Sequence, residues 1–215
     1  MTSLDNGQDK KAKLSQLRAY SRDDSIVFYK TKEAFGGLSN MASGYPLSVN
    51  GIFIPSSEAL YQACRFPHLP QVQREIIQQP TPMYAKRVSE DWRSESREDW
   101  IRVRVNVMRW CLRVKACQNQ DSFCTLLLSS NQKQIVELSR KDDFWGALEN
   151  DDGELVGRNV LGRLLMELRE DLRRDIAQIN EVRPADIENF LLLGRKIETV
   201  TQTVNLIQNS QPKLC

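Results

Sequence analysis

The sequence is poor in histidine, in long apolar runs and in net charge. His68 is the only histidine among 215 residues, which argues against histidine-based catalytic triads and histidine-rich metal sites. The longest apolar runs, such as 125–128, are far shorter than the roughly 20 residues of a membrane span. With 30 Lys+Arg against 28 Asp+Glu, the net charge of +2 provides no global attraction to nucleic acid or anionic membranes. We therefore expect no metal and no membrane partner, and only a local basic groove is left for nucleic acid.

The five cysteines fit neither a disulfide framework nor a zinc knuckle. Their number is odd, and no two of them are spaced as C-x-x-C. Residues 1–13 are polar and contain no apolar segment of the kind found in a secretory signal. Both observations favour reduced thiols and a cytoplasmic location. The cysteines are Cys64, Cys111, Cys117, Cys124 and Cys215.

Length and composition favour one domain with appendages. Residues 1–24 contain too little apolar surface to offset the entropy of ordering, so they are predicted to form a flexible polar tail. The folded domain is expected over 25–175. A C-terminal helical extension is expected over 176–215.

The apolar patterns predict an α+β fold that is mainly α with a small β element. Asn50-Gly51 tolerates the positive φ angles of a type I′ turn and predicts a β-hairpin over 47–54. The segment 100–117 fits both a strand and a helix pattern, and its length favours the helix. Further strands are expected at 26–29 and 135–138, and further helices at 57–66, 72–79, 82–88, 122–129 and 161–179.

The last part of the chain has the spacing of a coiled coil. Pro184 suits the first turn of a helix, and the apolar residues that follow step by three and four. Two partners remain open for this seam: the preceding helix in an intramolecular hairpin, or the same helix of a second subunit in a homodimer through 190–207. The apolar positions are Phe190, Leu193, Ile197, Val200, Val204 and Ile207.

One phosphate-binding motif is incomplete. Gly157-x-x-x-x-Gly162 begins like a phosphate loop, but Arg163-Leu164 stands where Lys-Ser/Thr would contact phosphate and magnesium. The sequence therefore does not predict a nucleoside triphosphatase.

Three clusters place polar or aromatic side chains beside turn-forming residues, at 35–40, 55–58 and 142–146. Each has a structural explanation when taken alone. An acidic residue such as Glu58 is common in the first turn of a helix, and Asp142 is typical of a turn. Trp145 is typical of a core aromatic. The chemistry left to this chain is that of carboxylates, amides, arginines and aromatic rings.

Taken together and in this order, the clusters resemble the NADAR family, also called YbiA-like proteins, from about residue 28 to residue 169. The longest matching motif is Gly157-x-Asn159-x-Leu161-Gly162-x-Leu164-Leu165-Met166-Glu167-Leu168-Arg169. The shorter ones are Phe28-Tyr29, Phe35-Gly36-Gly37-Leu38-Ser39-Asn40, Val49-x-Gly51, Pro55-Ser56-Ser57-Glu58, Tyr61-Gln62-Ala63, Met83-x-Ala85-x-Arg87, Arg97-x-x-Trp100 and Asp142-x-Phe144-Trp145-Gly146.

The resemblance implies a compact, mostly helical domain and an N-glycosidase activity. Members of the family cleave the bond between a ribose anomeric carbon and a nitrogen, in ADP-ribosylated guanine or in phosphorylated ribosyl-pyrimidine intermediates of riboflavin synthesis. They do not consume NAD, so no cofactor is expected. The first expectation is removal of ADP-ribose from guanine in a nucleoside or a single-stranded nucleic acid, because a base in a duplex would first have to be extruded. The alternatives are hydrolysis of riboflavin intermediates, and a catalytically impaired protein that binds ADP-ribose or oligomerises.

The resemblance also implies site residues. Cleavage places positive charge on the ribose and negative charge on the departing base, so a carboxylate and a proton donor both help. Glu58 is the first choice to act on the ribose or its attacking water, and Asp142 is the second. The remaining substrate-binding candidates are Asn40 and Asn159 for hydroxyls or phosphate, Trp100, Trp145 and Gly146 at the base, and Arg65, Arg87 and Arg97 for phosphate.

This chain departs from the family pattern at two positions. Ala59 stands where the family usually has His after the motif glutamate, and Arg65 stands where it usually has Lys. Arginine keeps a positive charge for phosphate but cannot act as an amine nucleophile.

Overall fold

Six α-helices make up most of the regular secondary structure of the described residues. A computed structural model describes residues 16–175 and 179–202. The predicted α+β class is confirmed, with short strands flanking the helices. The helices are α1 (Ser57–Ala63), α2 (Pro70–Ile77), α3 (Pro82–Asp91), α4 (Trp100–Gln118), α5 (Thr125–Leu128) and α6 (Val160–Arg174). Within the described residues, no helix combines the length and apolar composition needed to cross a bilayer.

The helix starts follow local signals in the sequence. Ser56 Oγ accepts a hydrogen bond from the Ala59 N–H at 3.2 Å and so caps α1. Thr81 Oγ1 caps α3 in the same way, accepting from the Tyr84 N–H at 3.3 Å. Pro70 opens α2 at a position where a missing N–H costs little.

The two long helices α4 and α6 form the centre of the domain. The apolar stripe predicted on α6 is buried, including Leu161, Leu165 and Leu168, and the helix ends at Arg174 rather than continuing to 179. Ion pairs also join the two helices: Arg109 Nε lies 3.1 Å from Glu167 Oε1, and Arg113 pairs with Asp171.

The strands are short and form several small sheets. They are β1 (Arg18–Tyr20), β2 (Ser25–Phe28), β3 (Leu47–Val49), β4 (Ile52–Ile54), β5 (Gln134–Glu137), β6 (Leu148–Glu149), β7 (Leu155–Gly157), β8 (Glu181–Val182), β9 (Leu191–Leu192), β10 (Arg195–Lys196) and β11 (Val200–Thr201). Strands β2 and β5 pair in parallel, with Phe28 opposite Glu137. The predicted hairpin is confirmed as β3 and β4, with Asn50 at φ 53° and Gly51 at φ 74°.

Part of the predicted N-terminal tail is a strand. Strand β1 pairs with β7, and Tyr20 is buried against Leu155 and Val136. The prediction of a flexible tail over 1–24 is therefore wrong for β1, because pairing and burial of Tyr20 order this segment. Residues 1–15 lie outside the described residues.

The predicted C-terminal helix is wrong over the described residues 179–202. Four short strands, β8 to β11, take its place, and Asn189, Leu193 and Gly194 adopt left-handed φ angles that interrupt a helix. Phe190 packs on Trp110 of α4, with ring centroids 4.9 Å apart. The described part of the proposed seam is therefore buried within the chain: Phe190, Ile197 and Val200 belong to its core, Leu193 is partly buried, and positions 204 and 207 lie outside the described residues.

The four described cysteines, Cys64, Cys111, Cys117 and Cys124, are free, buried thiols. Burial raises the pKa of Cys117 to about 11 and that of Cys124 to about 12. Both thiols therefore stay protonated at neutral pH and act as small apolar residues of the core.

A tight loop precedes the hairpin and leads into the site. This glycine loop, residues 35–40, turns through a short 3-10 helix at Gly36–Leu38. A side chain at Gly36 would collide with the backbone of Lys30 and Thr31, so only glycine allows so close an approach. The loop ends at Asn40, whose side chain is buried.

Candidate active site

Glu58 is a buried carboxyl group held by two amides. It lies in the first turn of α1 and is 5% exposed. Asn40 Nδ2 donates to Oε2 at 2.5 Å, and Gln62 Nε2 donates to Oε1 at 2.7 Å. Burial raises the pKa of Glu58, while these two hydrogen bonds and the charge on Lys86 oppose that effect. Because each oxygen receives a donor from a neutral amide, the ionised form is supported without a directly paired cation.

The amide of Gln62 is itself oriented by a serine. Ser89 of α3 is fully buried, and its hydroxyl donates to Gln62 Oε1 at 2.5 Å. With the amide oxygen occupied in this way, the Nε2 group faces Glu58. Helix α3 therefore helps to hold the carboxylate on α1.

Asn40 retains an open acceptor beside Glu58. Its Nδ2 group binds the carboxylate, while its Oδ1 atom is buried and accepts no hydrogen bond from any described residue. A buried amide oxygen without a donor is unfavourable unless a ligand supplies one. This atom can accept a hydrogen bond from a hydroxyl or N–H group of a ligand.

A second carboxyl group, Glu137, lies at the C-terminal end of β5. Ser39 Oγ lies 3.4 Å from Glu137 Oε1 and donates to it. Burial, together with the negative charges of Glu58 and Asp142, raises the pKa of Glu137 to about 7. Ser39 and Asn40 are consecutive residues, so the glycine loop brings Glu137 and Glu58 into one site.

A buried lysine binds two backbone carbonyl groups of the glycine loop. Lys115 of α4 donates through Nζ to the Gly37 carbonyl at 2.7 Å and to the Ser39 carbonyl at 3.1 Å. The Nζ atom also lies 4.3 Å from the ring centroid of Tyr45 and 4.4 Å from that of Phe123. Burial lowers the pKa of Lys115 to about 7. The loop that supports both carboxyl groups is thus anchored to the longest helix.

Four aromatic side chains continue the site beyond Glu58. Tyr61 lies one helical turn after Glu58, and its ring is 5.1 Å from that of Trp100 and 5.8 Å from that of Trp145. Phe144 lies 5.1 Å from Trp145. We call these four residues the aromatic strip. Burial raises the pKa of Tyr61 well above its usual value, and the charge on Glu58 adds to the rise.

Comparison with models of protein families assigns the sequence to a known family. A model of the NADAR domain matches residues 27–173, which is well over half of the chain. The chain belongs to the NADAR family.

Individual relatives agree with that assignment. The N-glycosidase YbiA of Escherichia coli is 37% identical over 158 residues, covering 73% of this chain and 94% of YbiA. The NMR structure of E. coli YbiA superposes with a TM-score of 0.61 at 34% identity, covering 77% of this chain and 94% of that structure. A riboflavin biosynthesis protein of Vibrio vulnificus is 37% identical over 159 residues, covering 73% of this chain but 41% of that protein. In maize, the chloroplastic riboflavin biosynthesis protein PYRR is 33% identical over 177 residues, covering 75% of this chain and 27% of PYRR.

The two departures from the NADAR pattern occupy different surroundings. Ala59 is fully buried in α1 and leaves no side-chain chemistry beside Glu58. Arg65 is partly buried: its Nε donates to Ser96 Oγ at 2.6 Å and its guanidinium lies 5.5 Å from the Trp100 ring centroid. A cation therefore remains at the position of the family lysine, next to the aromatic strip.

Asp142, the second predicted catalytic carboxylate, caps a turn. It is exposed, and its Oδ1 accepts from the N–H groups of Phe144 and Trp145, both at 2.9 Å. Its charge contributes to the raised pKa of Glu137, so it lies near the site. The contacts of Asp142 position the two aromatic residues that follow it.

Asn159 and Gly146 contact the strand that carries Glu137. Asn159 Oδ1 accepts from the Glu137 N–H at 3.1 Å, and Nδ2 donates to the Ile135 carbonyl at 2.8 Å. A Cβ atom at Gly146 would collide with the Glu137 carbonyl. Both residues support the strand that carries Glu137, and both polar atoms of the Asn159 amide bind its backbone.

The two outer arginine candidates lie away from these carboxyl groups. Arg97 is 8% exposed; its Nε donates to Asp99 Oδ1 at 2.5 Å, and its Nη2 donates to the Glu188 carbonyl at 2.7 Å. It thereby ties the C-terminal segment to the domain. Arg87 is exposed on α3 and makes no hydrogen bond or ion pair with a described residue. Neither contacts Glu58 or Glu137.

Sequence reasoning missed Glu137 and Lys115. Glu137 ends a strand that pairs in parallel with β2, and ligands commonly bind at the carboxyl ends of such strands. Lys115 lies among buried residues of α4, where a lone cation needs partners. These were the available signals, but choosing Glu137 over the other acidic residues required knowledge of the strand pairing.

Proposed function

We propose that this NADAR-family protein is an N-glycosidase that hydrolyses a ribose N-glycosidic bond. The observation that carries the proposal is the pair of carboxyl groups, Glu58 and Glu137, contacted by consecutive residues of the glycine loop. Relatives that bear the name N-glycosidase support it.

The environments of the two carboxyl groups favour different roles. Glu58 accepts two amide hydrogen bonds and is suited to act as the carboxylate. Glu137 has a pKa of about 7 and a single long hydroxyl contact, so it is suited to carry a proton at neutral pH. Burial raises the pKa of both carboxyl groups, and what distinguishes them is that Glu58 accepts from two amides while Glu137 accepts from one hydroxyl.

In the proposed reaction, the bond between the anomeric carbon and the base nitrogen breaks, and its electron pair goes to the base. Glu137 donates a proton to the departing base, while the Glu58 carboxylate stabilises positive charge on the ribose. Water then bonds to the anomeric carbon and gives a proton to Glu58. Proton exchange with solvent restores both groups. Asn40 Oδ1 accepts a hydrogen bond from a ribose hydroxyl, and the half-buried Trp145 stacks on the base.

As substrate we propose ADP-ribosylated guanine, in a nucleoside or in single-stranded nucleic acid. Trp145, a partly exposed ring of the aromatic strip, provides a stacking surface for a purine, and Arg65 provides a cation for phosphate. The second candidate is a phosphorylated ribosyl-pyrimidine intermediate of riboflavin synthesis. It is favoured by the names of the V. vulnificus and maize relatives.

The test is a paired assay on ADP-ribosylated guanosine and on ribosylaminouracil phosphate, with free base followed by chromatography. Wild type, Glu58→Gln and a control, Glu75→Gln, are compared. Glu75 is an exposed carboxylate on α2, so Glu75→Gln makes the same change of charge at a residue outside the site. We expect base release from one substrate, lost in Glu58→Gln and retained in Glu75→Gln.

Absence of turnover on both substrates would contradict the enzyme proposal. If ADP-ribose then still raised the melting temperature, the chain would be a binding protein, the alternative that Ala59 and Arg65 motivate. Equal base release by wild type and Glu58→Gln would contradict the assigned role of Glu58.

A further inference from the structure

Arg104 is a cation of α4 that points along the aromatic strip. It lies four residues after Trp100 and so shares its face of the helix. Its guanidinium carbon is 3.7 Å from the ring centroid of Phe144 and 5.9 Å from that of Trp145. Its Nε atom is buried and donates to no described residue.

The other arginines of α4 are paired with carboxylates. Arg102 lies 3.2 Å from Asp99, Arg109 lies 3.1 Å from Glu167, and Arg113 pairs with Asp171. Arg104 forms no ion pair or hydrogen bond within residues 16–175 and 179–202. A partly buried guanidinium without a counter-ion is unfavourable in the free protein, and a bound anion would relieve that cost.

A second guanidinium approaches the same strip. The guanidinium of Arg65 lies 5.5 Å from the ring centroid of Trp100, and the charges of Arg104 and Arg65 both act on the Tyr61 phenol. The pKa of Arg65 is lowered first by burial, and Arg93 and Arg104 add to this by like-charge repulsion, which the charges on Tyr61 and Glu90 oppose. Both guanidinium groups thus lie against rings of the aromatic strip, Arg65 at Trp100 and Arg104 at Phe144, and guanidinium groups are suited to bind phosphate.

We propose that Arg104, together with Arg65, binds the phosphate of the substrate. This inference rests on the proposed N-glycosidase function and adds the position of the phosphate to it. The ribose lies against Glu58 and Glu137, and the phosphate lies beside the aromatic strip, on Arg104 rather than on Arg87 or Arg97. The site is then bipolar, with carboxyl groups at the scissile bond and guanidinium groups at the phosphate.

The test measures anion binding directly, apart from turnover. Isothermal titration of the full chain with inorganic pyrophosphate and with orthophosphate is compared for wild type, Arg104→Gln and Arg104→Lys. Arg102→Gln is the matched control, because Arg102 lies on the same helix with 71% of its side chain exposed. Circular dichroism and the melting temperature verify that each variant is folded.

We expect Arg104→Gln to weaken pyrophosphate binding by roughly 10- to 100-fold, the range for loss of a charged hydrogen bond. Arg104→Lys should recover part of the affinity but not the paired guanidinium contacts. Arg102→Gln should bind as wild type does. In turnover, Arg104→Gln should raise KM for the phosphorylated substrate by a similar factor, with kcat nearly unchanged and a substrate lacking phosphate unaffected.

Unchanged pyrophosphate and orthophosphate affinities in folded Arg104→Gln would overturn the phosphate assignment, as would the absence of binding by wild type. Should Arg104→Gln not fold, an Arg104→Lys affinity equal to that of wild type would overturn the paired-guanidinium contact. Arg104-dependent binding without base release would leave the phosphate site standing and contradict the proposed enzyme. Base release with the same KM in wild type and Arg104→Gln would support the proposed enzyme and contradict the phosphate site.

Discussion

Glu58 and Asp142 are acidic residues beside turns in matching sequence motifs, yet they occupy opposite environments. Glu58 is buried and held by amides from the glycine loop and from its own helix. Asp142 is exposed and binds the backbone of its own turn. A carboxyl group with an altered pKa needs burial and partners brought from distant segments, whereas a turn-capping carboxylate needs only its neighbours.

Glu137 sharpens this comparison because it lies between the two regions. Its strand is supported by Asn159 and Gly146 on the side of the Asp142 turn, and Ser39 contacts its carboxyl group from the glycine loop. The Asp142 turn thus contributes to the site through Glu137. We infer that Asp142 is a positioning residue and that Glu58 and Glu137 are the catalytic pair.

The largest effect is expected for Glu58→Gln. The variant keeps the size of the side chain but loses the charge that faces the ribose, so turnover should fall by about 10³-fold or more. Base release under single-turnover conditions is the measurement, with a thermal melt to verify folding. Asp142→Asn losing as much activity as Glu58→Gln would break the comparison.

The next effect concerns Glu137→Gln and pH. If the protonated form of Glu137 is active, wild-type kcat should fall as pH rises through about 7. The variant should lose about 100-fold in kcat together with that pH dependence. If kcat of Glu137→Gln still falls as pH rises through about 7, the titrating group is a residue other than Glu137.

The raised pKa of Glu137 should also make the stability of the protein depend on pH, in a direction that can be stated in advance. The pKa of Glu137 is raised from 4.5 to about 7, so between these values the native state binds more protons than the unfolded state. The contribution of Glu137 to stability is therefore present below pH 4.5 and is lost as pH rises to about 7. Urea unfolding across this range should show a slope that Glu137→Gln reduces, since Glu58, whose pKa is also raised, contributes with the same sign. An unchanged slope would mean that the pKa of Glu137 is not raised.

Lys115→Met tests the rigidity of the glycine loop. The pKa of Lys115 is lowered from 10.5 to about 7, so the unfolded state binds more protons between these values and wild-type stability should rise with pH there. Methionine removes that rise and leaves the carbonyls of Gly37 and Ser39 without a donor, at a cost of about 1–3 kcal/mol near the upper end of the range. Chemical unfolding of both proteins at several pH values checks this. A difference that stays constant with pH would contradict the altered pKa.

The smallest effects are expected at Asp142. Asp142→Asn keeps an oxygen that can accept from the two backbone N–H groups, so kcat should fall by less than about fivefold. Asp142→Ala removes those bonds and should lower the free energy of unfolding by about 1 kcal/mol. Steady-state kinetics and urea unfolding of the two variants separate positioning from catalysis, because a catalytic Asp142 would fail equally in both.

Local patterns predicted most helices and the hairpin, since these depend on near neighbours in the chain. Ser56 and Thr81 cap helices, Pro70 starts one, and Asn50-Gly51 adopts positive φ angles as its composition suggests. The C-terminal pattern misled because an irregular segment can bury apolar residues at the same spacing: Phe190 and Ile197 are core residues that lie next to two-residue strands rather than on a helix. Asn189 and Gly194 were the signals against a helix there.

The site was only partly predictable for the same physical reason. Glu58 and Asn40 could be proposed as separate motif residues, but their hydrogen bond spans 18 positions of the sequence. Glu137 was not proposed, because its contact with Ser39 spans 98 positions. The roles of Asn159 and Arg97 also depend on backbone atoms from other segments.

The sequence by itself determined the family, the α+β class and the chemistry available to the site, because these depend on local pattern, motif order and residue type. The tertiary structure decided which carboxyl groups meet, which amides hold them and which arginine of α4 has no carboxylate partner among the described residues. Those outcomes depend on burial and on contacts between distant segments, and the pKa of a carboxyl group and the pairing of a guanidinium follow from such contacts.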